Sequence, residues 1–159
     1  CLKIRRNDEA LIAFQKAIKH NPNDPIAWNG LGNVYYKTGY ADDAIVAFQK
    51  SIEFMPSLSF PWNGLGDVYV NIGRLNDAVI AYQKSIELNG QSVIPWLGLA
   101  DIFQKLGHQR DAIKAYQRAL SIDSENSLVW NELGMLYLNS GYGDHLGRPG
   151  NVLLAFEVQ

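Results

Sequence analysis

The segment Trp28-Asn29-Gly30-Leu31-Gly32-Asn33-Val34-Tyr35 returns as Trp62-Asn63-Gly64-Leu65-Gly66-Asp67-Val68-Tyr69, thirty-four residues later. Looser copies follow at the same interval, Trp96-Leu97-Gly98-Leu99-Ala100-Asp101-Ile102-Phe103 and Trp130-Asn131-Glu132-Leu133-Gly134-Met135-Leu136-Tyr137. All four tryptophans of the chain lie on this one period. A constant period between about 20 and 50 residues marks a stacked repeat, in which each unit buries its apolar face against its neighbours.

Each unit carries two helical stripes. In 25–58 the first holds Trp28, Leu31, Gly32 and Tyr35 and stops at Gly39, a suitable helix-ending glycine. Asp24 is placed to cap it, and Pro25 suits the first helical position, where no amide donor is needed. Asp42-Asp43 opens the second stripe, which holds Ala44, Phe48 and Ser51, and Pro56 closes the unit. Two helices of about thirteen residues joined by a short turn form a helical hairpin.

Unit 59–92 repeats this scheme with Gly73, Asp77, Ala78, Tyr82 and Ser85, and 93–126 repeats it with Gly107, Asp111, Ala112, Tyr116 and Ala119. Bulky rings must enter gaps, and recurring Gly, Ala and Ser open those gaps on facing helices. Residues 1–24 read as the second half of an incomplete repeat, with Leu11, Phe14, Ala17 and Ile18 at helical spacing. Residues 127–159 read as a degenerate repeat. Its first helix is intact, an inserted loop lies near 142–150, and a helical pattern resumes through Val152-Leu153-Leu154-Ala155-Phe156. Both ends thus fall inside repeats, and the expectation is a piece of a longer array or one with an imperfect cap.

The order Trp28, Leu31-Gly32, Tyr35, Gly39, Ala44, Phe48, Ser51, Pro56 resembles the tetratricopeptide repeat family, whose pattern differs from it only in having Ala where Ser51 stands. The resemblance covers residues 5–141. It implies an all-α, right-handed α-solenoid of antiparallel helix pairs, forming one array over 1–159. It also implies that the first helix of each pair lines a concave surface on which extended peptides commonly lie.

Composition agrees with an ordered interaction module. Hydrophobic residues make up 47% and charged residues 19%, which argues against disorder. The formal net charge is −2 with no basic run, so no nucleic-acid face is expected. The single cysteine, Cys1, can form neither an internal disulfide nor a multi-cysteine metal site, and fits a cytosolic setting. No apolar run is long enough for a membrane span.

Little in the sequence points to catalysis. His20, His108 and His145 share no metal-ligand spacing. The glycine cluster within 141–150 lacks the Gly-Lys-Ser/Thr ending of a phosphate loop. No metal, cofactor or enzyme activity is expected. The tryptophans share their stripe with Leu and Tyr, so they read as core rather than as a ligand ladder.

By the resemblance, the binding surface lies two residues before each Trp and one, five and eight after it. Candidate groove residues are Asn29, Asn33, Tyr36 and Lys37 from the first full unit, and Asn63 and Asp67 from the second. Asp101 and Lys105 follow from the third and Asn131 from the fourth, with Ile26, Phe60, Ile94 and Leu128 alongside. An asparagine amide both donates and accepts, so it can pair with the backbone of an extended peptide without reading its side chains. Gly30, Gly64 and Gly98 recur in mid-helix at a cost of about 1 kcal/mol each relative to Ala. They serve either close helix packing or access for a ligand backbone.

The expected function is a non-catalytic scaffold that binds an extended peptide or partner helix. The alternatives are the substrate-recruiting arm of a larger enzyme, such as a glycosyltransferase or kinase, and end-to-end self-association of the array. Some members of the family grip the C-terminal carboxylates of chaperone tails with Lys, Asn, Asn, Lys and Arg. The matching positions here are Asn29, Asn33, Gly64, Ile94 and Gly98, which lack the cations that a terminal carboxylate needs. Calorimetry with a chaperone-tail peptide is expected to show no micromolar binding.

Overall fold

The computed structural model describes residues 2–139, which form eight α-helices. These are α1 (Leu2–His20), α2 (Pro25–Thr38), α3 (Ala41–Phe54), α4 (Phe60–Asn71), α5 (Leu75–Leu88), α6 (Val93–Lys105), α7 (Gln109–Ile122) and α8 (Ser127–Asn139). Helices α2 and α3, α4 and α5, and α6 and α7 pair as hairpins, with α1 packed before the first and α8 after the last. Helix α1 begins well before the Asn7-Asp8 stretch from which the sequence pattern starts. The proposed insert near 142–150 and the run 152–156 lie outside the described residues.

Local chemistry sets the helix ends. Asp24 caps α2 by accepting from the amides of Ile26 at 2.9 Å and Ala27 at 3.3 Å, and Pro25 follows at the first position. Three hairpin turns share one geometry. Gly39, Gly73 and Gly107 have φ of 86°, 79° and 73°, a left-handed conformation that costs glycine little. After each glycine, the next amide bonds back to the aromatic that ends the Trp stripe. Tyr40 donates to the Tyr35 carbonyl at 2.9 Å, Arg74 to Tyr69 at 2.8 Å and His108 to Phe103 at 2.8 Å. This is the helix-terminating motif in which a left-handed residue lets the chain satisfy its last carbonyls.

Between hairpins, α2 packs on α4 and α4 on α6, whereas α3, α5 and α7 are held apart by the first helices. The first helices therefore form the closely spaced inner wall of a curved stack, and the second helices form its outer layer. The Phe48 ring, wholly buried, lies between two glycines. A Cβ on Gly32 of its own hairpin would come 2.8 Å from the ring, and one on Gly64 of the next would overlap it. Tyr82 is held in the same way between Gly66, where a Cβ would come 2.5 Å from the ring, and Gly98, where it would overlap. Phe14 meets Gly30 likewise. The mid-helix glycines thus serve packing: the bare backbone of one first helix sits on the ring of the preceding second helix.

Leu31, Leu65, Leu99 and Leu133 are buried with these rings, as are Ala44, Ala78 and Ala112. Ser51, fully buried, donates to the Pro25 carbonyl at 2.7 Å and ties α3 to the start of α2. The tryptophans are less buried than a core position requires. Trp28, Trp62 and Trp96 are half-buried and Trp130 is 41% exposed. The reason is geometric: neighbouring second helices do not close over them. Instead the indole N–H of Trp28 donates to the Pro22 carbonyl at 2.7 Å and that of Trp130 to Ser124 at 2.8 Å, pinning each helix to the end of the preceding repeat.

The glycine contacts give different expectations for one substitution. Gly64→Ala forces a methyl into the Phe48 ring and is expected to destabilise by about 1–3 kcal/mol in urea unfolding. Gly134→Ala meets nothing within 4 Å among the described residues and is expected to cost less than Gly64→Ala in the same measurement.

Candidate functional site

The inner wall is built from the faces of α2, α4, α6 and α8 that point away from the rings. Two rows run along it. Ile26, Phe60, Ile94 and Leu128, each two residues before a Trp, are 55%, 40%, 61% and 74% exposed and make an apolar row in 34-residue register. Asn29 and Asn63, one residue after the Trp, are half-buried beside it, and Leu97 and Asn131 continue that row. The side-chain carbonyl oxygens of Asn29 and Asn63 are buried without a hydrogen-bond partner among the described residues. Each buried oxygen is thus left unpaired inside the wall, a costly arrangement.

The remaining candidates divide. Asn33, Lys37 and Asn131 are exposed, and Tyr36 is half-buried. Asp101 and Lys105 pair with each other at 2.7 Å along α6, a half-exposed bridge of small energetic weight. Asp67 is not free for a ligand in the same way, because Tyr82 donates its hydroxyl to Asp67 Oδ1 at 2.6 Å. Burial pushes the Asp67 carboxyl above its ordinary range, and the Tyr82 hydrogen bond works against that shift. Tyr82 is pushed well up, first by burial, then by that hydrogen bond and the charge of Asp67. Tyr36 is raised by burial and by the nearby Asp67 charge, so the wall brings Tyr36, Asp67 and Tyr82 into one electrostatic group.

A cleft of about 260 Å³ opens on the inner wall between α6 and α8. It is lined by Leu97, Asp101, Gln104, Leu128, Val129 and Glu132, with Tyr116 of α7 also reaching it. On the outer layer two further clefts, of about 280 and 230 Å³, recur one repeat apart. Trp28, Leu31 and Tyr35 line the first and Trp62, Leu65 and Tyr69 the second, with Asp43 and Asp77 at equivalent places. Among the described residues, no group of three or more His, Cys, Asp or Glu could hold a metal ion. No helix among them is long and apolar enough to cross a membrane.

Family models described as TPR repeat and tetratricopeptide repeat match residues 6–39, 25–58, 61–92 and 95–126. The chain belongs to the tetratricopeptide repeat family. No curated protein matches it significantly in sequence. Among solved structures it is similar to MamA, with 26% identity and a TM-score of 0.77 over 87% of this chain and 81% of that one. It shares its fold with TTC0263, a thermophilic TPR protein of Thermus thermophilus, at 23% identity and a TM-score of 0.74 over 90% and 79% of the two chains. YrrB, described as a TPR protein with an unusual peptide-binding site, shares the fold at 24% identity and a TM-score of 0.73, over 84% and 69%. The fold is therefore that of a tetratricopeptide α-solenoid, an architecture that typically serves protein interaction rather than chemistry.

Sequence reasoning placed Tyr82 and Tyr116 at the packed ring position and missed the polar groups near their hydroxyls behind the inner wall. A signal was present. The ring position reads Phe14, Phe48, Tyr82, Tyr116, and a tyrosine placed there carries a hydroxyl that needs a partner, which Asp67 supplies for Tyr82.

The raised Asp67 carboxyl fixes a pH dependence. The folded chain keeps its proton where the unfolded chain has lost it, so this group's stabilising share is complete below the ordinary value of about 3.9 and is lost as pH rises through the folded value. Urea unfolding of wild type and Asp67→Asn across that range is expected to show wild-type stability falling relative to the variant. A relative rise would contradict the burial argument.

Proposed function

We propose that the inner wall of α2, α4, α6 and α8 binds an extended peptide or a partner helix, and that the chain acts as a non-catalytic interaction scaffold. The observation that carries this reading is the pair of parallel rows. Apolar Ile26, Phe60, Ile94 and Leu128 stay exposed, and beside them Asn29 and Asn63 carry half-buried amides. Four exposed large apolar side chains in strict register are an expensive solvent surface for a monomer and a natural anchor row for a ligand. The amides beside them suit main-chain N–H and C=O groups, which every peptide offers at regular spacing.

First helices packed at the usual 8–10 Å separation present one anchor per repeat. That interval corresponds to about three residues of an extended chain, so an extended ligand would meet a new apolar contact about every third residue. The wall supplies register and the ligand's backbone supplies most of the hydrogen bonds.

Partner capture by wild-type protein is expected to be lost on changing Asn29, Asn33 and Asn63 to Ala together, with helicity by circular dichroism retained. Asp67 is left intact in this variant because removing it would strand the Tyr82 hydroxyl. Unchanged capture would place the binding surface elsewhere.

A further inference from the structure

The inner-wall cleft between α6 and α8 differs from the equivalent place one repeat earlier, and the difference is chemical. There, the Tyr82 hydroxyl is satisfied by Asp67, and Gly98 of α6 sits directly on the ring. At the next step Asp101, the counterpart of Asp67, accepts from Lys105 instead. Glu132, the counterpart of Gly98, brings a Cβ and a carboxylate to the ring that a glycine would have covered. Tyr116 is only 5% exposed, lines the cleft, and has no hydrogen-bond partner among the described residues. The Tyr116 ring is thus buried while its hydroxyl reaches the cleft, unpaired among the described residues and near two carboxylates.

We propose that this cleft is a subsite for a cationic side chain, an arginine or lysine, of the peptide bound along the inner wall. The proposal rests on the reading of that wall as a peptide groove. Leu97, Leu128 and Val129 form apolar sides on which an aliphatic stem can lie while its charged head stays at the polar end. Glu132 and Asp101 offer carboxylate acceptors, and the Tyr116 oxygen can accept as well as donate. Glu132 enters no ion pair among the described residues, so its charge is unspent. An anionic side chain would meet two carboxylates, and Lys105 is already engaged by one of them.

The same field acts on the phenol. Burial, then Glu132 and Asp101, push Tyr116 up to about 12. A bound cation opposes the two charge contributions and draws the phenol back down, a response that a purely structural tyrosine would not show.

The probe is N-acetyl-arginine amide, titrated into ¹⁵N-labelled protein, with the neutral N-acetyl-norleucine amide as control. The expected result is saturable shifts confined to residues 97–104, 116 and 128–132, and a downward move of the Tyr116 titration followed by its own ring-carbon resonance in ¹³C-tyrosine-labelled protein. Affinity is expected to fall about fivefold in Glu132→Gln, as loss of one partly exposed charge partner implies. Glu132 is exposed, so this variant should keep the wild-type spectrum outside the cleft. Absence of shifts at the cleft, equal shifts from the norleucine amide, or unchanged affinity in Glu132→Gln would each overturn the subsite. The probe does not touch Asn29, Asn33 or Asn63. Its failure would leave the groove reading intact, and unchanged capture by the triple alanine variant would remove the groove reading while leaving the probe result in place.

Discussion

The structure depends on a ring held between two bare backbones. Phe48 and Tyr82 each sit between a glycine of their own hairpin and a glycine of the next, so one side chain fixes both the closure of a hairpin and the approach of its neighbour. A repeat cannot be loosened within itself without also loosening the stack. The cost of mid-helix glycine, about 1 kcal/mol at each site, is offset by ring burial and by close packing at native density.

That constraint also determines the two surfaces. With glycine pressed onto the ring, the residue before it on the first helix turns toward the inner wall, and the Trp stripe turns outward to the gap between second helices. The inner wall thereby receives Asn29, Asn63 and the exposed apolar row, and the outer clefts receive half-buried tryptophans. Where the glycine is lost, at Glu132, the close fit on Tyr116 is lost with it and a cleft appears. The array is thus uniform through its first three hairpins and chemically distinct where α8 is added.

Much of this was legible in the sequence because it is local and periodic. The Asp24 cap, the glycines at 39, 73 and 107, and the assignment of helix pairs all follow from residues within a few positions of one another. What lies between repeats was harder to read. Gly30 and Gly64 are explained by Phe14 and Phe48, each sixteen residues earlier on a different helix, and no helical pattern within one element shows that contact. For the same reason Asp67 looked like a free groove acid, although its partner Tyr82 lies on the following helix. The tryptophans looked like core because their stripe is apolar. Their half-exposure comes from the spacing of second helices, which only the assembled stack determines.

The claim that the inner wall is the binding surface is tested most directly by position-specific photo-cross-linking. A photoreactive residue at Asn63 samples the inner wall, and one at Ile80 samples the outer layer beside the Trp62 cleft. Both are placed in the same hairpin, so expression and folding effects are shared. The account predicts partner cross-links from position 63 and none from position 80. Cross-links from 80 alone would contradict it.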